Sequence, residues 1–128
     1  MTTTQSVQFG GLTPYLYYDD AAAMAAWLAR TFGFVELGRH VADDGSVQNV
    51  EMRVGPAELW LDGYPGRRAR ENGPPPWVGV WVDDVDAMYA RVQAAGAAAP
   101  PPEDKPYGVR MLSVKDPEGV TWGFLKRI

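Results

Sequence analysis

A chain of 128 residues with 46% apolar and 22% charged side chains has the size and balance of a single domain spanning 1–128, which excludes disordered, collagenous and coiled-coil classes. Its formal charge of -4, with the only dense basic run at Arg67, Arg68 and Arg70, leaves no electrostatic footprint for nucleic acid. The absence of cysteine excludes a disulfide framework, a thiolate metal site and a cysteine nucleophile, and with no apolar run of membrane-spanning length and no leader pattern in MTTTQSVQFGG, a cytoplasmic protein without a membrane partner is expected.

Residues 12–18 (LTPYLYY) are aromatic and read as a strand, and Asp19-Asp20 offers a cap to the helix that follows. Met24, Trp27, Leu28 and Phe32 recur at helical spacing and Gly33 supplies a stop, which predicts a helix over 21–31. Extended runs follow at 34–41, 47–54 and 57–62, separated by Asp43-Asp44-Gly45 and Gly55-Pro56. Residues 63–76 (GYPGRRARENGPPP) concentrate glycine, proline and polar groups and read as a linker.

The order then starts again. Residues 77–82 (WVGVWV) predict a strand, Asp83-Asp84 a cap, and Val85, Met88, Tyr89 and Val92 a helical stripe ahead of Gly96. Asp84, Met88 and Val92 each lie 64 positions after Asp20, Met24 and Leu28, a shared offset that points to duplication. A proline-rich bend at 100–106 leads into strands at 109–114 and 121–125, joined by Asp116-Pro117-Glu118-Gly119, whose proline and glycine suit a type I turn. The expected fold is α+β: two tandem βαβββ modules, about 11–62 and about 77–127, whose curved mixed sheets enclose a groove.

The runs YDDAAAMAAWLARTFGF, VWVDDVDAMYARVQAAGA and YGVRMLSVKDPEGVTWGF resemble the vicinal oxygen chelate superfamily, in its glyoxalase and bleomycin-resistance-like branch, from about residue 12 to residue 126. The resemblance implies a cup-shaped site between curved sheets and a homodimer. It also implies where metal-using members carry ligands, in the first and last strand of each module. Those positions fall here on Thr13, Trp77 and Gly123, with the fourth on Trp60 or Glu58. A zinc, nickel or iron site needs three or four converging nitrogen or oxygen donors, which Thr13, Trp77 and Gly123 do not supply, so no metal and no cofactor is expected.

Strand alternation gives the lining of the groove. Tyr15 and Tyr17 share a side with Thr13, and Trp81 shares one with Trp77 and Gly79; Asn49, Glu51 and Arg53 form one row, and Glu58, Trp60 and Asp62 another. Leu16, Val50, Met52, Leu59, Leu61, Val78 and Val80 take the opposite sides, and Trp27, Trp122 and Phe124 are expected to face the helices as core. An aromatic lining with a few polar groups suits a flat, partly polar guest. The candidate ligand-binding residues are therefore Tyr15, Tyr17, Asn49, Glu51, Trp60, Trp77 and Trp81, joined by Arg110, where the resemblance implies an anchor for an acidic group; a solvated arginine is the alternative. His40 is the only histidine and has no partner for a relay, and no catalytic residue is assigned.

Loss of ligands together with gain of tryptophans points to a metal-independent protein that binds a small aromatic or planar compound, such as an antibiotic in a resistance role, without modifying it. The alternative from another class is a glyoxalase-like lyase, isomerase or epimerase using a non-standard metal or Glu51 and Glu58 as acid and base. A third is a dimeric interaction module whose cup has closed.

Overall fold

The computed structural model describes residues 6–63 and 74–128; Arg67, Arg68 and Arg70, and most of the predicted linker, lie outside the described residues. The first half runs β1 (Tyr15–Tyr17), α1 (Ala21–Phe32), β2 (Val35–Val41), β3 (Val47–Val54) and β4 (Ala57–Asp62). The second repeats it as β5 (Trp77–Trp81), α2 (Val85–Ala94), β6 (Glu103–Lys105), β7 (Val109–Lys115) and β8 (Thr121–Arg127). Each half builds a four-stranded mixed sheet with the same order, β1-β4-β3-β2 and β5-β8-β7-β6. In both, the first strand pairs parallel with the last and the remaining pairs are antiparallel.

The offset seen in the sequence is physical at the helix starts. Asp20 caps α1 by accepting from the Ala23 amide at 2.9 Å, and Asp84 caps α2 by accepting from Ala87 at the same distance. Each aspartate satisfies an amide that the helix itself leaves without a partner. Replacing either by alanine should cost about 1 kcal/mol, read as a shift in the urea midpoint. Gly33 ends α1 in the left-handed region at φ +81° while its amide returns to the Ala29 carbonyl, a conformation in which a Cβ would be strained.

One strand departs from the sequence reading. The bend at 100–106 contains β6, Glu103-Asp104-Lys105, paired antiparallel along β7 as an edge. Three charged residues among prolines carry no apolar alternation, and only β7 as a template makes them extended. β8 also runs on to Arg127, because Lys126 and Arg127 stay in register with Arg110 and Val109.

A single apolar cluster serves both halves. Leu16, Met24, Leu28, Phe32, Met52, Leu59 and Leu61 from the first meet Val92, Leu112, Val114, Trp122 and Phe124 from the second, all buried. Phe32 is the hinge of this arrangement: its ring centroid lies 4.8 Å from Phe124, 5.7 Å from Trp122 and 5.1 Å from Trp27. Trp122 and Phe124 are thus core, as alternation predicts.

A polar joint completes the contact between halves. The turn after β7 forms as expected, with the Gly119 amide donating to the Asp116 carbonyl at 3.0 Å. Asp116 is buried, and its carboxylate accepts from the Glu118 and Val120 amides, both at 3.0 Å, from the Trp122 indole at 3.1 Å and from the Tyr18 hydroxyl at 2.5 Å. Its neighbour Glu118 accepts from the Asp19 amide at 2.7 Å and the Asp20 amide at 3.0 Å. A turn of the second half therefore holds the end of β1 and the start of α1 in the first.

Candidate ligand-binding faces

Because both sheets give one side to the common core, the other side of each is turned outward. These outward sides carry the large exposed aromatics: Tyr15 at 45% exposure, Trp60 at 39%, Trp77 at 52% and Trp81 at 57%. Exposed aromatics of this size grouped on a sheet face, rather than scattered, mark a surface built to be covered.

On the first sheet, register brings five of the expected residues together. Tyr15 is opposite Trp60, which is opposite Glu51, and Tyr17 is opposite Asp62, which is opposite Asn49. The Tyr15 and Tyr17 rings meet edge-on at 5.3 Å and Tyr15 meets Trp60 at 6.4 Å. Tyr15 donates its hydroxyl to Asp62 at 3.3 Å, and the Trp60 indole N–H donates to Glu58 at 3.3 Å. The result is an aromatic strip with carboxylates along its margin.

On the second sheet, Trp77, Gly79 and Trp81 of β5 stand in register with Thr121, Gly123 and Leu125 of β8. Gly79 and Gly123 face one another, and the six-membered ring of Trp77 is laid across both. A Cβ on Gly79 would come within 2.9 Å of Cη2 and Cζ3 of that ring, and one on Gly123 would collide with its Cζ2 and Cε2 edge. A side chain standing upright on a strand stays about 7 Å from the next residue on its face, so the ring leans down onto the sheet. The Arg127 guanidinium sits 4.8 Å from the centre of the Trp81 ring, a cation–π distance. Arg127 was not anticipated in the sequence, although alternation from Gly123 through Leu125 leads to it.

Arg110 does not join either face. It alternates with the open-face residues of β7, on the side of Leu112 and Val114, and its guanidinium is held by Asp86 at 2.8 Å and Asp104 at 2.9 Å. The hydrogen bonds it donates to Asp86 and then to Asp104 hold its pKa above the ordinary arginine value. Its fork is engaged within the chain.

The positions at which metal-using proteins of this architecture would place ligands do not fit a metal here. Thr13 lies ahead of β1, and the space over Gly123 is filled by the Trp77 ring, which offers no lone pair. Among the described residues no three of His, Asp and Glu come together as a cation site. A cavity of about 390 Å³ lies between the halves beside β5; Leu12, Val54, Leu59, Val78 and Trp122 line it together with Glu58, Gly79 and Trp81, so it reaches residues of both faces. No helix of the described residues is long and apolar enough to cross a membrane.

Comparison with known proteins agrees with this architecture. The family model for the Glyoxalase/Bleomycin resistance protein/Dioxygenase superfamily matches residues 8–124. Among solved structures, TioX from Micromonospora sp. ML1 is 31% identical, with a TM-score of 0.76 over 94% of this chain and 100% of that one. A bleomycin-binding protein complexed with bleomycin is 20% identical, with a TM-score of 0.74 over 94% of this chain and 100% of that one. Lactoylglutathione lyase from Agrobacterium tumefaciens is 21% identical, with a TM-score of 0.71 over 94% and 95%. No curated protein matches the chain.

Proposed function

Because the chain belongs to the Glyoxalase/Bleomycin resistance protein/Dioxygenase superfamily and carries ring systems where metal-using members carry donors, we propose that it binds a small aromatic or planar compound, such as an antibiotic, without a metal and without modifying it. One observation carries the reading: the Trp77 ring lies over Gly123, so a ligand position of the metal enzymes is given over to an aromatic surface. The bleomycin complex of a protein with the same fold supports the view that this architecture accommodates a drug-sized guest. The supporting chemistry is stacking area from Tyr15, Trp60, Trp77 and Trp81, with Asn49 and Glu51 placed to fix orientation.

The same reading makes the protein a homodimer. The first strand of each sheet, β1 and β5, is an edge, and unpaired edges invite a partner. With both aromatic faces turned away from the shared core, a second copy is what brings a Tyr15–Trp60 face opposite a Trp77–Trp81 face. Light scattering is expected to give twice the 14.0 kDa chain mass; a monomer at all concentrations would remove this part of the proposal.

Titration of the purified protein with a panel of planar antibiotics and aromatic metabolites, followed by tryptophan fluorescence and calorimetry, tests the binding reading. At least one compound is expected to bind with quenching of the exposed tryptophans, and metal analysis is expected to give well below one equivalent. Stoichiometric tightly held metal would favour the lyase, isomerase or epimerase alternative. Glu51 and Glu58 are both exposed, and no feature of the first sheet favours them as an acid–base pair.

A further inference from the structure

We propose that Trp77 is the stacking platform of the binding site and that Gly79 and Gly123 are its positioning residues, an inference that rests on the binding reading above. Three observations on the second sheet converge on it. The Trp77 ring spans two glycines on neighbouring strands, Cη2 and Cζ3 over Gly79 and Cζ2 and Cε2 over Gly123. The Met111 sulfur and the Leu125 Cδ1 border the same two positions, at 3.2 and 3.1 Å from where the Cβ atoms would stand. The ring is therefore seated in a shallow depression with a polarizable thioether at one margin. Its residue nevertheless keeps 52% of its surface open, so it is seated without being buried.

The other aromatics are not placed to do this. Trp81 already has the Arg127 guanidinium over its ring, and Tyr15 meets Tyr17 and Trp60 edge-on, at interplanar angles of 62° and 68°. Rings at such angles do not share a plane that a flat guest can cover. Trp77 alone among these is lowered onto backbone that has no side chain to compete with it. Fixing the ring before the guest arrives removes the rotamer entropy that a free tryptophan would lose on binding. The glycines thus act through Trp77: each supplies the absence of a Cβ that lets the ring lie down.

The same face carries Lys115, opposite Thr121 in the row of Trp77, and Arg127, so a planar acid is the appropriate probe. The full chain is titrated calorimetrically with 2-naphthoate and with its saturated, non-planar counterpart decahydro-2-naphthoate. Trp77→Ala and Gly123→Ala are expected to weaken 2-naphthoate about tenfold, the scale of one aromatic pair, and to change the saturated acid by less than about twofold. Trp77→Phe should keep most of the affinity. In protein labelled with 5-fluorotryptophan, the fluorine line that disappears in Trp77→Phe should be shifted from the solvent-exposed position in the wild type and move toward it in Gly123→Ala.

Naphthoate binding that is unchanged in Trp77→Ala, or lost equally for both acids, overturns the platform and leaves the binding reading standing. A Trp77 line already at the solvent position in the wild type overturns the seating by the glycines without any ligand present, and it does so even where Gly123→Ala fails to fold. A wild type that binds neither these acids nor any planar compound in the panel overturns the binding reading and the platform together.

Discussion

Asp116→Ala is expected to remove about 3–5 kcal/mol of folding stability, because truncating a buried, fully bonded carboxylate strands every donor that pointed at it. Here the stranded groups are the Tyr18 hydroxyl, the Trp122 indole N–H and the amides of Glu118 and Val120. Domains of this size hold about 5–15 kcal/mol in total, so the variant should be folded only marginally. Urea denaturation should show a large drop in midpoint. Tyr18→Phe, which removes one donor and leaves the other three, should cost about 1–2 kcal/mol. Equal losses in the two variants would mean that the Tyr18 bond alone carries the joint.

Phe32→Ala is the second large effect, about 3–5 kcal/mol for a buried phenylalanine. Phe32 belongs to α1, yet its nearest ring neighbours include Phe124 and Trp122 of β8. The cavity left behind therefore opens in both halves at once. Melting followed by far-ultraviolet dichroism and by tryptophan fluorescence should give one coincident transition lowered by roughly 10 °C or more. Two separated transitions would show that the halves are independently stable and that the shared core is incidental.

Much of this arrangement was legible in the sequence, for reasons visible in particular residues. The caps Asp20 and Asp84 are local chemistry, and the 64-residue spacing between them has a structural counterpart because the two helices begin the same way. The alternation of Val78 and Val80 with Trp77, Gly79 and Trp81 sets the tryptophans on the side away from the core, and the register with β8 agrees; the sequence reading has that side lining a groove, whereas within one chain it is turned outward. Strand β6 was not legible, since Glu103-Asp104-Lys105 takes its conformation from β7 and has no apolar rhythm of its own. Arg110 lies off the aromatic faces: counting along β7 puts it with Leu112 and Val114, and Asp86 on a separate element engages its fork.

The lean of the Trp77 ring was beyond the sequence for a different reason. Alternation fixes the side of the sheet on which a residue lies and says nothing about whether its ring stands or reclines. That depends on Gly123, a residue 46 positions away on the paired strand. In the sequence Trp77 and Gly123 are two unrelated positions without donors; the structure makes them one feature, with the small residue making room for the large one.

The joint between the halves also sets an order of events during synthesis. Tyr18, Asp19 and Asp20 leave the ribosome well before their partners Asp116 and Glu118, which follow 98 and 99 residues later, and two of the rings against Phe32, Trp122 and Phe124, come later still. For most of translation the nascent first half has an unfinished core and an uncapped seam. Arrested chains that stop before residue 116 should be held by chaperones and cut by proteases, whereas chains released a few residues beyond 124 should pass to the protected state in one step.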